Sequence, residues 1–518
     1  MGELLLGIDI GTSSSKGVLA RPDGTILADA QRPHEPSRPR PGWAEMDADA
    51  VWWGDVVSIC EELLPQADDD LAGVGVSGMG PCVLAADAEG EPLRPAILYG
   101  IDARATAEIE ELTERYGAEA ILARGGSPLT TQAVGPKLLW LQRNEPEVWE
   151  RTERLLHVSS FVVGRLTGEY ALDHHSASQS DPLYDITANE WVAEWAEDIA
   201  PGLALPRLLW PHEVAGEVTK KAAETTGIPA GTPVVAGTQD TWAEAASVGV
   251  REAGDVMLMY GTTMFVVEVL TEARPDPHLW STTSLGPGTR NLSAGMATSG
   301  ALGAWWRSVA GEAPWEELEA EAEAVAAGAD GLVALPYFSG ERAPLFDARA
   351  RGAILGLTLR HGRGHVFRAL MEGTAYGLRH NLETMAAAGG GGVRIVAVGG
   401  GLQAQFWIQA VSDVTGRTQG LPAKRIGASF GDAFFAAVGT GLASPEDRWN
   451  HVEGHVEPRP EATEAYETPY RVYRELYPAL KEQMHTLADL QAGPAGPAAA
   501  APPATSRKAA RLPSSPRR

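Results

Sequence analysis

The amino-acid sequence predicts an α/β fold made of two similar halves. Predicted strands alternate with predicted helices along the chain, which is typical of α/β architecture. A layout of strand, Gly-Thr turn and strand at the N-terminus recurs near residue 254, which indicates an internal duplication. At 518 residues the chain also exceeds the size at which a single core usually stops growing. We therefore expect a domain over residues 1–250, a second over 251–488, and a tail over 489–518.

The first half opens with a predicted three-stranded meander over Leu4–Ala30. Its turns are Gly11–Ser15 and Asp23-Gly24, both made of residues that favour turns. A helix follows a Pro-rich loop, with Asp49 as its predicted N-cap. The next predicted elements are strands over Leu71–Ser77 and Cys82–Ala86 and a helix over Lys137–Trp149.

The second half repeats this opening. Val256–Tyr260 and Met264–Val269 are predicted strands, and Gly261–Thr263 is the tight turn between them. A long helical pattern over Val366–Met385 ends at a run of glycines, and a buried strand, a Gly-rich turn and another helix follow. From about Ala492 the chain is rich in Ala, Pro and Ser, a composition that predicts a disordered tail.

Composition excludes several classes of function. A formal charge of −26 and a pI near 4.9 would repel a phosphate backbone, so we expect no nucleic-acid partner. The two cysteines, Cys60 and Cys82, lack the spacing of a disulfide framework or a zinc site, which fits a reducing compartment such as the cytoplasm. The apolar run at the N-terminus is too short for a signal peptide or a membrane span, so we expect no membrane association.

The first turn carries residues expected of a phosphate-binding loop. Asp9 ends the first strand, and Gly11, Thr12, Ser13 and Ser14 follow it. Turn N–H groups and hydroxyls can hold phosphate oxygens where a bulky side chain would block their approach, and Asp9 can hold a magnesium ion through water. The alternative is an ordinary Ser-rich hairpin. The spacing of glycine and lysine excludes a Walker A loop.

Two further turns have the same character. Gly261, Thr262 and Thr263 would face the first turn across a cleft in a duplicated fold, although Gly-Thr turns are also common in structural hairpins. A later glycine turn, at the junction of a strand and a helix, leaves the backbone open to a ligand. The G-x-G-x-x-G spacing of a dinucleotide-binding loop is absent there. The candidate ATP contacts from this region are Gly400, Gly401 and Gln405.

Several longer motifs resemble the FGGY family of carbohydrate kinases, and within it the xylulokinases most closely. The run Gly352–Glu372 follows the second family signature, with Leu370 as a mild departure. Pro136–Pro146 is similar to the later part of the first signature, whose start differs at Gln132 and Val134. The resemblance covers roughly residues 4–485 and includes the shorter stretches Gly42-Trp43, Asp102 with Arg104, Ser339–Pro344 and Trp407–Gly416.

This resemblance implies a two-domain fold of the actin and hexokinase type. Each half would carry a ribonuclease-H-like sheet, with the sugar bound mainly by the N-terminal half and ATP by the C-terminal half of a central cleft. Gly237–Thr241 matches the segment where the family keeps its catalytic aspartate, so Asp240 is the expected general base and Asp9 the expected Mg²⁺ site. A base of this kind contributes about 10²–10⁴-fold to the rate. The alternative for Asp240 is an N-cap of the following helix.

The resemblance also predicts which residues contact the sugar. Xylulokinases place a Met-His pair where this chain has Gly80-Pro81, so an imidazole donor to the ketose is missing. Gln239 and Trp242 are where a compensating contact is expected. Lys16 and Lys137 are interpreted as solvated residues outside the catalytic set. The expected sugar contacts are Met79, Gly80, Asp102, Arg104, Gln239 and Asp240, with a surface ion pair as the alternative for Asp102 and Arg104.

The sequence thus predicts an ATP- and Mg²⁺-dependent kinase for a small sugar, with a xylulose-like ketose favoured. A hexulose, a tetritol or a pentitol is the alternative acceptor. An actin-like ATP-binding sensor without kinase activity is the alternative from another class of function. The sequence does not decide between a monomer and a homodimer.

Overall fold

The computed structural model describes residues 3–492 of the chain. Its last helix ends at Ala492, so residues 489–492, which we assigned to the tail, are helical. The rest of the predicted tail, residues 493–518, lies outside the described residues. Among residues 3–492 we find no helix whose length and hydropathy suit the crossing of a bilayer.

The N-terminal half is organised around a mixed seven-stranded sheet in the order β13-β14-β5-β1-β2-β3, with β15 paired to β5. Its first three strands form the predicted meander, and the chain then crosses over to add β5 parallel to β1. In chain order the strands are β1 (Glu3–Ile10), β2 (Ser14–Ala20), β3 (Ile26–Pro33), β4 (Glu45–Met46), β5 (Asp70–Gly78), β6 (Leu84–Ala86), β7 (Ala96–Ile97), β8 (Arg154–Leu156), β9 (Ala171–Asp173), β10 (Tyr184–Asp185), β11 (Glu190–Trp191), β12 (Arg207–Leu209), β13 (Val214–Glu217), β14 (Pro233–Val235) and β15 (Thr238–Gln239).

The helices of this half differ from the prediction at two places. The predicted N-cap Asp49 is wrong: Asp47 caps a π-helical turn at Ala48–Trp53 that precedes α1, and its carboxylate accepts the N–H of Ala50. The single helix expected over Lys137–Trp149 is two helices, because Pro146 lacks an N–H and starts a new one. The helices are α1 (Gly54–Leu63), α2 (Thr106–Tyr116), α3 (Ala118–Gly125), α4 (Val134–Asn144), α5 (Pro146–Trp149), α6 (Val158–Thr167), α7 (His174–Ser178), α8 (Ala193–Ile199), α9 (Lys220–Thr226) and α10 (Asp240–Ser247).

The C-terminal half repeats the central topology, which confirms the predicted duplication. Two antiparallel pairings, β16 with β17 and β17 with β19, match the meander, and β22 lies parallel to β16 as β5 lies parallel to β1. The strands are β16 (Asp255–Tyr260), β17 (Met264–Leu270), β18 (Trp280–Thr283), β19 (Arg290–Met296), β20 (Val333–Leu335), β21 (Ala353–Leu355), β22 (Arg394–Val398), β23 (Gln419–Pro422) and β24 (Val452–Val456). The helices are α11 (Gly300–Val309), α12 (Trp315–Glu323), α13 (Arg363–Ala387), α14 (Gln405–Thr415), α15 (Ala428–Gly439) and α16 (Pro460–Ala492).

Helix α15 belongs to the second half in sequence but lies against the first sheet. A methyl group at Gly7 of β1 would lie 1.9 Å from the carbonyl oxygen of Ser429, and one at Gly75 of β5 would lie 2.0 Å from that of Asp432. Glycine at both positions therefore permits direct contact between helix and sheet backbones. A buried apolar cluster, which includes Trp242, draws its residues from both halves and packs them against each other.

Candidate active site

Three neighbouring strands bring the predicted catalytic residues to one edge of the N-terminal sheet. Asp9 of β1 lies opposite Ser77 of β5, and Thr238 of β15 lies opposite the same serine. At this edge the chain continues after β1 into the turn Gly11–Ser14, which is predicted to bind phosphate and is called the first phosphate turn below, and after β15 into α10, with Asp240. Because the carboxyl ends of parallel strands meet at one edge, groups distant in sequence become neighbours there.

Asp240 is the first residue of α10 and is half-buried. Its Oδ1 accepts the backbone N–H of Thr241 at 2.6 Å and the hydroxyl of Thr241 at 3.2 Å. Among residues 3–492, no group donates a hydrogen bond to Oδ2. Gln239, not Asp240, lies at the N-cap position of the helix. One carboxylate oxygen of Asp240 is therefore free to accept a proton from a ligand.

Three carboxylates and one ammonium group share this part of the cleft. Burial raises the pKa of Asp9, and the charge of Asp240 raises it further. Burial also raises the pKa of Asp240, and it raises the pKa of Glu244 to about 7. The positive charge of Lys16 opposes all three shifts, because it favours the ionised carboxylates.

Two of these groups, Lys16 and Glu244, are not among the residues predicted for the site from the sequence. The sequence favours a solvated Lys16, although its position directly after the first turn is a signal for the site. Glu244 was not considered, although it lies four residues after Asp240 and therefore on the same face of α10.

Asp9 has one oxygen in a buried network and one that is free. Ser77 Oγ lies 3.3 Å from Asp9 Oδ1 and donates to Oδ2 of Asp432 at 2.7 Å, a link from the first sheet to α15. Burial, then the charge of Asp9, raises the pKa of Asp432 well above its ordinary value. No described residue hydrogen-bonds Asp9 Oδ2, which lies 3.9 Å from where a Cβ on Gly11 would be. A free carboxylate oxygen beside the first turn fits a hydrated magnesium ion.

The first and second phosphate turns each begin with a glycine whose N–H donates across the turn, although the first turn is one residue longer. The N–H of Gly11 donates to the carbonyl of Ser14 at 3.1 Å, and the N–H of Gly261 donates to that of Thr263 at 3.0 Å. Both turns join antiparallel strands and expose a hydroxyl residue at the tip, Ser13 in the first and Thr262 in the second. This likeness agrees with a shared role in holding phosphate groups, which stays a prediction. The hydroxyl of Thr12 already has a protein partner, because it lies 2.8 Å from the phenol oxygen of Tyr99.

The third turn, Gly399–Gly401, lies close to neighbouring groups at one glycine and is open at another. Gly399 has a φ of 95°, a conformation that favours glycine. A methyl group at Gly401 would lie 2.7 Å from the ring of Trp407, whereas one at Gly400 would meet open space. Gln405, the first residue of α14, is exposed and donates to the carbonyl of Leu402 at 3.3 Å. The turn thus leaves the backbone of Gly400 accessible, and ATP contact by these residues stays a prediction.

Two predicted sugar contacts lie against each other. A methyl group at Gly80 would lie 2.9 Å from Cδ of Gln239 and 3.0 Å from its Nε2. Nε2 of Gln239 is buried, and so is Nε1 of Trp242; neither has a hydrogen-bond partner among the described residues. A buried donor without a protein partner can be satisfied by a ligand hydroxyl, and sugar contact by these two residues stays a prediction. Met79, by contrast, is buried in the N-terminal core.

Asp102 and Arg104 form a buried ion pair, so the surface-pair alternative is wrong. Nη2 of Arg104 lies 2.7 Å from Oδ2 of Asp102, which also accepts the N–H of Ala44 at 2.7 Å. The guanidinium also lies 3.9 Å from the ring centroid of Trp43 and 2.8 Å from a carboxylate oxygen of Glu45. Protein groups thus surround both charges. Their contact with a sugar stays an untested prediction.

The chain is similar to known carbohydrate kinases over most of its length. The model of the FGGY family of carbohydrate kinases, N-terminal domain, matches residues 4–249, and that of the C-terminal domain matches residues 256–440. Xylulose kinase of Escherichia coli K12 is 30% identical over 419 residues, which are 80% of this chain and 85% of that protein. Glycerol kinase of Beutenbergia cavernae is 30% identical over 472 residues, 87% of this chain and 92% of that protein. The crystal structure of xylulose kinase from Rhodospirillum rubrum has a TM-score of 0.86 at 34% identity and covers 93% of this chain and 100% of that one.

Proposed function

This chain belongs to the FGGY family of carbohydrate kinases, and we propose that it phosphorylates a small ketose with Asp240 as the general base. The family assignment makes it a sugar kinase that uses ATP. The observation that carries the proposal is the free Oδ2 of Asp240, at the start of α10 and beside the strand end that bears Asp9. The two-domain actin and hexokinase-like fold is shared with xylulose kinase and glycerol kinase structures.

In the proposed reaction, the sugar hydroxyl oxygen attacks the γ-phosphorus of ATP. Asp240 accepts the hydroxyl proton as the new P–O bond forms, and the bond to the β,γ-bridging oxygen breaks to release ADP. A carboxylate with a raised pKa is a stronger base than an ordinary aspartate, and burial supplies that shift here. The positive charge of Lys16 opposes this rise in the pKa of Asp240, because it favours the ionised carboxylate.

The phosphate groups would lie between the first and second turns. Their backbone N–H groups and the exposed Ser13 and Thr262 are suited to phosphate oxygens. Asp9 would hold Mg²⁺ through water, using the oxygen that no described residue occupies. Bound magnesium would neutralise charge on the β- and γ-phosphates.

A xylulose-like ketose is the acceptor we favour, because relatives that match most of the chain are named xylulose kinases. Gly80-Pro81 leaves no imidazole at the sugar, and the unpaired Nε2 of Gln239 and Nε1 of Trp242 are the donors that would replace it. The glycerol kinase relative makes a polyol the second candidate acceptor. We also propose that the enzyme works in a reducing compartment such as the cytoplasm, because both cysteines are buried free thiols.

The test is coupled ADP release with a panel of acceptors: pentuloses, hexuloses, tetritols, pentitols and glycerol. We expect release above the ATP-only blank, with the highest kcat/KM for a pentulose. Phosphorus NMR of the product would separate transfer to the sugar from ATP hydrolysis. If no acceptor raises ADP release above the blank, the proposed function is wrong; if a polyol outranks every ketose, the acceptor class is wrong.

A further inference from the structure

Arg342 is a half-buried arginine whose guanidinium has no hydrogen-bond or ion-pair partner within residues 3–492. Two arginines further along the same segment are occupied: Arg349 lies 2.6 Å from Asp489, and Arg351 lies 2.6 Å from Gln491. No nitrogen of this guanidinium is among the buried atoms that lack a partner, so it is open to solvent and free to bind an anionic ligand. Arg342 was not among our predicted site residues.

The backbone of Arg342 is tied to the second phosphate turn. Oε1 of the buried Glu341 accepts the N–H of Arg342 at 2.7 Å and the N–H of Ala297 at 2.8 Å. Two residues after Ala297, the N–H of Ser299 donates to the carbonyl of Thr262 at 2.9 Å and its hydroxyl to that of Gly261 at 3.1 Å. The position of Arg342 is thus fixed relative to the turn that would hold the ATP phosphates.

A row of aromatic rings connects the turn that contains Arg342 with the region of the proposed base. Trp242, two residues after Asp240, has its ring centroid 6.0 Å from that of Phe265, which directly follows the start of β17. Phe265 lies 6.0 Å from Trp280, and Trp280 lies 5.3 Å from Phe346. The N–H of Phe346 donates to the carbonyl of Arg342 at 2.7 Å, so the row ends in the turn that presents Arg342.

The charge of Arg342 also acts on Tyr99, a side chain that contacts the first phosphate turn. Burial raises the pKa of the Tyr99 phenol, the charge of Asp240 adds to that rise, and the positive charge of Arg342 opposes it. The same phenol oxygen lies 2.8 Å from Oγ1 of Thr12 in the first turn. The Tyr99 phenol thus contacts the first turn directly, and the charges of Asp240 and Arg342 both act on it.

We propose that Arg342 is a further catalytic residue, whose guanidinium binds the phosphoryl group during its transfer from ATP to the sugar. The proposal rests on the proposed kinase reaction. As the sugar oxygen bonds to the γ-phosphorus and the bond to the bridging oxygen breaks, negative charge spreads over the three equatorial oxygens. A planar guanidinium can donate two parallel hydrogen bonds to such oxygens. Asp240 takes the proton on the acceptor side, and Arg342 stabilises the charge on the group that moves.

The test compares Arg342→Met and Arg342→Lys with the control Arg349→Met, which removes an equal charge from the same segment at an exposed ion pair. We expect Arg342→Met to lower kcat about 10²–10³-fold with little change in either KM, as for the loss of one donor to transition-state charge. Arg342→Lys should fall in between, because an ammonium keeps the charge but not the paired geometry. The control should keep the wild-type kcat. Thermal melting of each variant checks that it is folded.

A second measurement separates this proposal from the proposed function. ADP with aluminium fluoride mimics the planar phosphoryl group, and its binding can be titrated without any knowledge of the sugar. We expect Arg342→Met to bind ADP alone as the wild type does and to lose the gain in affinity that aluminium fluoride supplies. The role of Arg342 would be overturned if Arg342→Met kept the full increase in ADP affinity with aluminium fluoride or kept the wild-type kcat. It would also be overturned if the substitution changed only the KM of the sugar. A wild-type enzyme that phosphorylates no acceptor would overturn only the proposed reaction.

Discussion

Asp240→Asn tests the proposed base with the smallest change in shape. The contact between Oδ1 and the N–H of Thr241, 2.6 Å long, can be kept by the amide oxygen of asparagine, so the start of α10 is preserved. The substitution removes only the ability to accept a proton. A general base is worth about 10²–10⁴-fold, which corresponds to about 3–5 kcal/mol in the activation barrier. We expect kcat to fall by that factor.

The assay is steady-state ADP release with the best acceptor of the panel, together with calorimetric binding of ADP. Binding of ADP should be unchanged, because the three candidate phosphate turns do not include Asp240. Asp47→Asn is the matched control: it also changes an aspartate at a helix start, and asparagine caps helices as well as aspartate does. A variant Asp240→Asn with the wild-type kcat would refute the assignment of the base. A parallel loss of ADP binding would show instead that the nucleotide site was disturbed.

Three further predictions concern specificity, pH dependence and stability. Gly80→Ala should raise the KM for the sugar without lowering ADP binding, because its methyl group would lie 2.9 Å from the side chain of Gln239 and displace it. In a pH profile, kcat/KM should fall with decreasing pH as Asp240 takes up a proton, with a midpoint above its ordinary pKa of 3.8 because burial raises that value. Lys16→Met should move this midpoint to higher pH, because the lysine charge lowers the pKa of Asp240. Glu372→Ala should lower the free energy of unfolding by about 3–5 kcal/mol. The reason is that Nε of the buried Arg368 lies 2.6 Å from Oε1 of Glu372 and would lose its carboxylate partner.

For each of these three predictions, a control variant or a specific result would contradict the reasoning. A sugar KM that is unchanged in Gly80→Ala would mean that Gln239 does not contact the acceptor. A midpoint that stays in place in Lys16→Met would show that another group than Asp240 controls the acid limb. For Glu372, the control is Glu467→Ala, which breaks an exposed pair with Arg379 and should cost about 0–1 kcal/mol in chemical denaturation. Equal losses in the two variants would contradict the role of burial.

The duplicated topology and the turns could be predicted from the sequence because their signals are local. Strand composition and the intervening Gly-Thr turn are readable within about a dozen residues, and the same pattern near Asp9 and near Gly261 indicated two related sheets. The resemblance to a kinase family supplied Asp240, which composition and periodicity alone would have left as a helix cap. The two incorrect helix details, at Asp49 and Pro146, concern boundaries, where local signals are weakest.

What the sequence determined by itself is thus the family, the paired sheets and the turns at their edges. Only the tertiary structure revealed that Ser77 links Asp9 to Asp432 of the other half, and that Arg104 is enclosed by protein groups. It also connected the backbone of the unpaired Arg342, through Glu341, to the segment that hydrogen-bonds the second phosphate turn. The reason is physical: burial, shared protons and unpaired charges depend on how α15 and the two sheets pack, and that packing joins residues with no common local pattern.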